Sequence, residues 1–100
     1  MVRVFMEDDR VRKVSSLLNA LGNPTRVKII ILVQETNRPL HIEAVSKALK
    51  MDYAAVYRHV KVLEESGLLE VYEVGRSRVL AIKNAELIKQ LIQIANKIIQ

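Results

Sequence analysis

The side chains best suited to binding chemistry lie on one face of a helix predicted from Tyr53 to about Ser66. On a wheel of about 100° per residue, the outer face of this helix is small near its start and basic through its middle. Arg58 can bind a guanine through two hydrogen bonds or contact a phosphate, and Tyr53 and Tyr57 can contact a phosphate or a thymine methyl group. A solvated helix face without a function is the alternative. The outer positions are Ala54, Arg58 and Lys61, with Tyr57 on their flank.

A second group of basic side chains lies in a predicted β-hairpin, where Arg76 and Arg78 flank Ser77 close to Gly75. Two guanidinium groups at a hairpin tip can straddle phosphates or enter the minor groove, where the negative potential is enhanced. Arginines at a tip can instead keep an edge strand from pairing with other molecules. Because the hairpin directly follows a predicted helix-turn-helix, we interpret it as the wing of a DNA-binding domain.

Few residues remain for catalysis or metal binding. The chain has no cysteine, which excludes disulfides, thiolate metal sites and cysteine nucleophiles. The two histidines lack a partner at ligand spacing, so we interpret His59 as a packing or phosphate-contact residue and His41 as a neighbour of a helix start. No nucleophile–base pair, paired carboxylates or phosphate loop is visible, so the sequence predicts neither an enzyme nor a bound metal or cofactor.

The composition fits one small basic domain. The 100 residues have a mass of 11.4 kDa and are half apolar, which predicts a single domain with one core over residues 1–100. The net charge of +5 and the pI near 9.7 are compatible with nucleic-acid binding. No apolar run reaches the roughly 18 residues of a membrane span, and the N-terminus has no apolar signal core. We therefore predict a cytoplasmic protein without membrane contact.

The N-terminal third has the pattern of two helices. Residues 1–7 alternate weakly, as in a short strand or a frayed arm, and a helix is predicted from Asp8 to Leu21. We expect Gly22 to end this helix in the left-handed conformation. We expect Asn23 to cap a central, buried helix that starts with Pro24 and ends near Thr36.

A helix-turn-helix is predicted over residues 43–66, after a very short strand at residues 40–42. Asp52 is positioned to cap its second helix, and Gly67 to stop it. The inward positions are Val45, Ala48 and Leu49 in the first helix and Val56, Val60 and Leu63 in the second.

The wing is predicted over residues 68–82, with strands at 68–74 and 78–82 around a turn at 75–77. Asn84 is positioned to cap a last helix over residues 84–100. The predicted fold is therefore mainly α with a small β-hairpin, a winged helix-turn-helix in the order α-α-β-α-α-β-β-α.

The last helix carries more apolar surface than one small core can bury. Two neighbouring apolar stripes cover an arc of about 160°, whereas about 100° suffices for packing on a core. Burying the additional stripe contributes about 6–12 kcal/mol of transfer free energy before the cost of association. We predict a symmetric homodimer joined by the terminal helices, with a larger core around this helix as the alternative. The predicted interface residues are Leu17, Leu87, Leu91, Ile94 and Ile98.

Two segments resemble signatures of the ArsR-type winged-helix repressors. The opening signature is similar to residues 21–30, LGNPTRVKII, and the recognition-helix signature is similar to residues 57–69, YRHVKVLEESGLL, which Gly75-Arg76 follow in the wing. The resemblance extends from about Leu17 to Ile82. It implies a homodimeric transcriptional regulator whose recognition helix presents Tyr53, Ala54, Ala55, Tyr57 and Arg58 to the operator.

The chain departs from that family's pattern at two points. Tyr57 stands where the family usually has a small hydroxyl residue, so we expect different base contacts. Metal-sensing members have cysteines in the helix that corresponds to residues 43–49, or histidine and acidic ligands in the last helix. This chain has no cysteine in the former and no histidine in the latter. The resemblance therefore implies DNA binding without metal sensing.

Two functional hypotheses follow. The first is a homodimeric transcriptional regulator, a repressor, that binds an inverted-repeat operator with recognition helices in major grooves about 34–36 Å apart. The second is a winged-helix module that binds a protein through Tyr53, Tyr57 and the apolar last helix without contacting DNA. Salt-sensitive retardation of a duplex distinguishes the first from the second. The sequence indicates no effector for either.

Overall fold

The structure is a computed structural model that describes residues 7–100. The strand or arm predicted for residues 1–7 lies outside the described residues, apart from Glu7. The predicted order of helices and strands is confirmed. The elements are α1 (Asp8–Leu21), α2 (Pro24–Thr36), β1 (Leu40–His41), α3 (Ile42–Leu49), α4 (Tyr53–Glu65), β2 (Leu69–Val74), β3 (Ser77–Ile82) and α5 (Ala85–Ile99).

The connection between α1 and α2 shows one correct and one wrong prediction. Asn23 caps α2 as predicted, because its Oδ1 accepts hydrogen bonds from the backbone N–H groups of Thr25 at 2.9 Å and Arg26 at 3.2 Å. Gly22 is not left-handed, as its φ is −80° and its ψ is 36°. Its N–H donates to the Asn19 carbonyl at 3.1 Å, and the Arg26 side chain donates to the Ala20 carbonyl and also to that of Asn19, so a left-handed turn is not required there.

The helix-turn-helix begins one residue earlier than predicted. Residue 42 opens α3 rather than ending β1, and Ile42 and Val45 are completely buried. Ala48 was predicted to face inward, but it is exposed because it lies off the helical stripe that Ile42, Val45 and the half-buried Leu49 form.

Helix α4, the second of the helix-turn-helix, ends as predicted at a left-handed glycine. Gly67 has a φ of +85°, and the N–H groups of Gly67 and Leu68 donate to the carbonyls of Glu64 and Leu63, each at 3.0 Å. At the other end Asp52 holds the N-cap position, yet its side chain makes no capping hydrogen bond. Asn84 likewise precedes α5 without a side-chain cap.

The wing belongs to a three-stranded antiparallel sheet in the order β1-β3-β2. Its turn has two residues, Gly75 and Arg76, rather than the predicted three, because Ser77 pairs with Val74 and so begins β3. Gly75 has a φ of +61°, a conformation that favours glycine at the first position of a two-residue hairpin turn.

The core lies between α2, α4 and the sheet, and it fixes which face of α4 points outward. The interpretation of α2 as a central helix is confirmed by Ile29, Ile30 and Val33, which are buried. None of the helices within residues 7–100 is both long and apolar enough to cross a membrane. The other buried core residues are Ala20, Ile42, Val45, Val56, Val60, Leu63, Leu68, Leu69, Leu80 and Ile88.

The unequal caps of α2 and α5 lead to a testable prediction. Replacing Asn23 with Ala removes a side-chain acceptor for two N–H groups and should lower the free energy of unfolding by about 1 kcal/mol. Asn84→Ala is the matched control, since Asn84 holds an N-cap position without such a hydrogen bond. Urea unfolding measures both, and equal losses in the two variants would contradict the assignment of Asn23 as the working cap.

Candidate nucleic-acid interface

The outer face of α4 is exposed in the way the helical wheel predicts. Ala54, Arg58 and Lys61 are exposed, whereas Ala55 and Tyr57 are half-buried. The first two turns of the helix therefore present small residues beside one arginine and two tyrosines. A surface of this kind can approach a groove closely and donate hydrogen bonds to base edges or phosphates.

Lys61 is less available for binding DNA or another ligand than its position on the helical wheel indicates. Its Nζ lies 3.3 Å from the Glu64 Oε1 in an exposed i, i+3 ion pair. This hydrogen bond, with the charge of Glu64, raises the pKa of Lys61. Arg58, by contrast, makes no hydrogen bond or salt bridge to any residue between 7 and 100, so its five donors remain available.

The two arginines of the wing have different surroundings. Arg76 and Ser77 are exposed at the turn. Arg78 was predicted to lie at the tip, but it is half-buried and lies behind the turn. Arg78 shares a face of β3 with the buried Leu80, because alternate strand residues point to the same side. That alternation was visible in the sequence and could have assigned Arg78 to the inner face.

Arg78 connects the wing to α4. Its Nη1 donates a hydrogen bond to the Tyr53 hydroxyl at 3.1 Å, and its guanidinium carbon lies 4.5 Å from the centre of the Tyr57 ring. The two tyrosine rings are nearly parallel, with centroids 6.5 Å apart and an angle of 15° between their planes. The hydrogen bond to Tyr53 is the main reason that the pKa of Arg78 is raised. We call these three residues the arginine–tyrosine clamp.

A polar groove lies where the wing, the first turn of α4 and the start of α3 meet. Its volume is about 380 Å³. Three predicted site residues of the wing thus border the same groove as one of α4, together with residues around β1 that sequence reasoning did not include. The groove is lined by His41, Glu43, Tyr53, Arg76, Ser77 and Arg78.

Arg26 is a contributor to the site's geometry that sequence reasoning missed. Its Nε donates to the Ala20 carbonyl at 2.6 Å and its Nη2 to the Asn19 carbonyl at 3.4 Å, at the C-terminal end of α1. Its Nη1 lies 3.1 Å from the Nδ1 of His59 on α4. Because a guanidinium can only donate, the His59 Nδ1 is the acceptor and carries no proton.

The surroundings of His59 disfavour its protonated form. Burial is the largest cause, and the positive charges of Arg26 and Arg58 add to it, so the pKa of His59 lies below the ordinary 6.5. His59 is therefore neutral near pH 7. No group of three or more His, Asp or Glu side chains within residues 7–100 is arranged to hold a metal ion.

A separate apolar surface covers α1 and α5. Leu87, Ile94 and Ile98 of the predicted interface are exposed, by 63%, 54% and 77%. Leu17 and Leu91 are only half-buried positions, and Leu17 packs against the core of its own chain. On α1 the exposed apolar residues are instead Val11, Val14 and Leu18, which the prediction did not include.

The comparisons agree with this fold. The sequence model of the HVO_A0114 family matches residues 22–88. The chain is 33% identical over 72 residues to the HTH-type transcriptional regulator NmtR of Mycobacterium tuberculosis, covering 72% of this chain and 58% of NmtR. This chain spans about half the length of the curated relatives it matches.

Two solved structures support the predicted winged helix-turn-helix fold. The homodimeric winged helix-turn-helix DNA-binding domain of Mb0332 from Mycobacterium bovis is similar with a TM-score of 0.81 at 19% identity, over 97% of this chain and 90% of that one. The ArsR family transcriptional regulator RHA00566 is similar with a TM-score of 0.68 at 21% identity, over 97% and 92%.

The state of His59 leads to a prediction about pH. The unfolded chain binds a proton at His59 near pH 6.5 and the folded chain only at lower pH, so this contribution to stability is complete above pH 6.5 and is lost as the pH falls. We expect the urea midpoint to decrease between about pH 7.5 and 5.5, where carboxylates stay ionised.

Two variants assign this pH dependence to a residue. His59→Gln keeps an acceptor for Arg26 but does not titrate, so it should flatten the decrease, whereas His41→Gln should retain it because it leaves the contact between Arg26 and His59 intact. Urea unfolding at each pH provides the measurement. An equally steep decrease in His59→Gln would show that His59 is not its source.

Proposed function

Because the chain belongs to the HVO_A0114 family, whose match covers residues 22–88, we propose that it is a transcriptional regulator that binds double-stranded DNA. The observation that carries this proposal is that the exposed Arg58 face of α4 and the Arg76 turn of the wing lie on elements joined by the arginine–tyrosine clamp. A recognition helix and a wing held together can engage adjacent parts of one duplex. The similar proteins are regulators, and we propose no catalytic role.

We propose that α4 reads the major groove. Its first turns carry Ala54 and Ala55, which allow close approach of the helix to base edges. Arg58 is exposed without a protein partner within the described residues and is suited to bidentate binding of guanine. Tyr53 and Tyr57 would contact phosphates or thymine methyl groups at the edge of this surface.

The wing would contact the DNA backbone or the minor groove. Arg76 and Ser77 are the exposed residues of its turn, and Arg78 lies behind them. Lys61 and His59 would lie at the margins of the α4 surface, where His59 already packs against Arg26. These contacts are largely electrostatic and should make affinity fall steeply with salt.

We further propose that the protein acts as a homodimer through the apolar surface of α1 and α5. Exposed leucine, isoleucine and valine side chains on two helices favour burial against a second copy. The two copies together carry twice the charge of +5. They would bind an inverted repeat in the cytoplasm with recognition helices about 34–36 Å apart, and act as a repressor by occupying the operator.

Two arginine variants test the DNA-binding proposal. Arg76→Ala should weaken binding to all duplexes alike and reduce the slope of log K against log salt by about one. Arg58→Ala should instead cost about 1–3 kcal/mol, and only on the preferred sequence. Gel-shift titrations on duplexes selected from random DNA measure both effects.

The control is Lys89→Ala, which removes an exposed positive charge from α5, outside the proposed DNA-binding surface of α4 and the wing. It should leave both the affinity and the salt slope nearly unchanged. If Arg76→Ala and Arg58→Ala bind like wild type, the assignment of these residues is wrong. If the chain retards no duplex but binds a partner protein at all salt concentrations, it is a protein-interaction module.

A charged substitution in the apolar surface tests the homodimer. Ile94 is 54% exposed on α5, so Ile94→Glu should leave the single chain folded but place a charge in the dimer interface. Sedimentation should give 11.4 kDa for this variant and about twice that for wild type. Gln93→Glu adds the same charge at the neighbouring exposed position and should stay dimeric. A monomeric wild type would overturn the proposal.

A further inference from the structure

The arginine–tyrosine clamp attaches the wing to the recognition helix at two points. Arg78 is the second residue of β3, where it pairs with Glu73 immediately behind the turn. Its partners Tyr53 and Tyr57 are separated by four residues, so they lie one above the other on the same side of α4. A single side chain of the wing therefore contacts two successive turns of the helix.

The two contacts are of different kinds and constrain different movements. The hydrogen bond from Arg78 to the Tyr53 hydroxyl restricts the direction in which the guanidinium points. The position of the guanidinium over the Tyr57 ring restricts the distance between β3 and α4. The planar guanidinium can satisfy both contacts at once, which the point charge of a lysine cannot.

Few other side-chain contacts attach the outer part of the hairpin to α4. Tyr72 and Val74 are 49% and 58% exposed, and the contact from Arg78 to Tyr53 is the only side-chain hydrogen bond between the hairpin and α4 within residues 7–100. Arg76, at the turn, makes neither a hydrogen bond nor a salt bridge to the described residues. Arg76 is thus available to a ligand while Arg78 is occupied by its own chain.

We propose that Arg78 is a positioning residue for DNA binding, which sets the angle between the wing and the recognition helix by holding Tyr53 and Tyr57. This inference rests on the proposed function and refines it. Arg76 then supplies the charge that the duplex meets, and Arg78 determines where Arg76 and the two tyrosines stand relative to each other. Loss of the clamp should weaken operator binding without removing a phosphate contact.

The salt dependence of binding separates positioning from direct contact. Arg78→Met removes the charge, the hydrogen bond and the cation–π contact, and should weaken operator binding roughly three- to tenfold. The slope of log K against log salt should stay that of wild type, because no phosphate contact is lost. Arg76→Met is the matched control and should reduce the slope by about one. A reduced slope in Arg78→Met would overturn the proposal.

A double-mutant cycle tests whether Arg78 acts through Tyr53. Tyr53→Phe keeps the ring and removes only the hydroxyl acceptor, so it should also weaken operator binding. If both residues act through one clamp, Arg78→Met combined with Tyr53→Phe should weaken binding by less than the product of the two single losses. Losses that multiply in the double variant would show that Arg78 and Tyr53 act independently, which contradicts the clamp. Arg78→Lys should behave like Arg78→Met, since a lysine retains the charge but not the geometry.

A measurement on the free protein keeps the clamp testable apart from DNA binding. In the NMR spectrum of the wild-type protein, the Tyr57 ring should shift the side-chain protons of Arg78 upfield, and Tyr57→Leu should abolish that shift. Unshifted protons in wild type would overturn the clamp whatever the protein binds. If the shift is present but wild type retards no duplex, the proposed DNA binding fails while the clamp stands.

Discussion

The relative placement of α1, α2 and α4 depends most on the hydrogen bonds of the Arg26 guanidinium. Arg26 lies in the first turn of α2, and its guanidinium binds carbonyl oxygens at the end of α1 and a ring nitrogen on α4. Without Arg26 the Ala20 carbonyl would lose this hydrogen bond, and an unpaired carbonyl is costly in a partly buried connection. One side chain therefore joins α1, the core helix α2 and α4, which carries the exposed basic face, in a fixed arrangement.

This arrangement makes the short polar segment from Asn23 to Arg26 as important for the placement of the helices as the apolar core. Asn23 accepts the N–H of Arg26 itself, so the cap of α2 also fixes the point from which the Arg26 side chain extends. The neutral state of His59 completes the contact, since a protonated ring would face two positive charges. A change in any one of these three residues should be felt by the others, because each supplies a partner that the next requires.

Local signals in the sequence were sufficient for most of the fold. Asn23-Pro24 and Gly67 marked helix ends correctly because their chemistry acts within a few residues. The inward side of α4 followed from periodicity alone. The prediction of a left-handed Gly22 was wrong because the Arg26 side chain helps to satisfy the carbonyls of Asn19 and Ala20 at the end of α1, a contact that sequence spacing does not reveal.

The candidate site was less predictable for a related reason. The sequence identified the basic and tyrosine positions but not which of them hold each other. Arg78 was expected at an open tip, yet it lies against α4, because the two-residue turn shifts the start of β3 to Ser77. On α1 the periodicity places Leu18 in an apolar stripe with Val11 and Val14 and Leu17 beside it, and only packing on the core shows that Leu17 is the inward residue.

The pairing of charges limits how the proposed DNA binding can work. Arg12 and Lys13 are each close to Asp9, and Lys61 is close to Glu64, so part of the positive charge is compensated within the chain. On the proposed surface Arg58 and Arg76 remain without such partners among residues 7–100. Counterion release at these cations makes the affinity fall with salt, but it does not distinguish one base sequence from another. Sequence specificity must therefore come from base edges, from tyrosine contacts and from presenting two copies of the surface at a fixed separation, so it depends on the geometry of α4, the wing and the dimer.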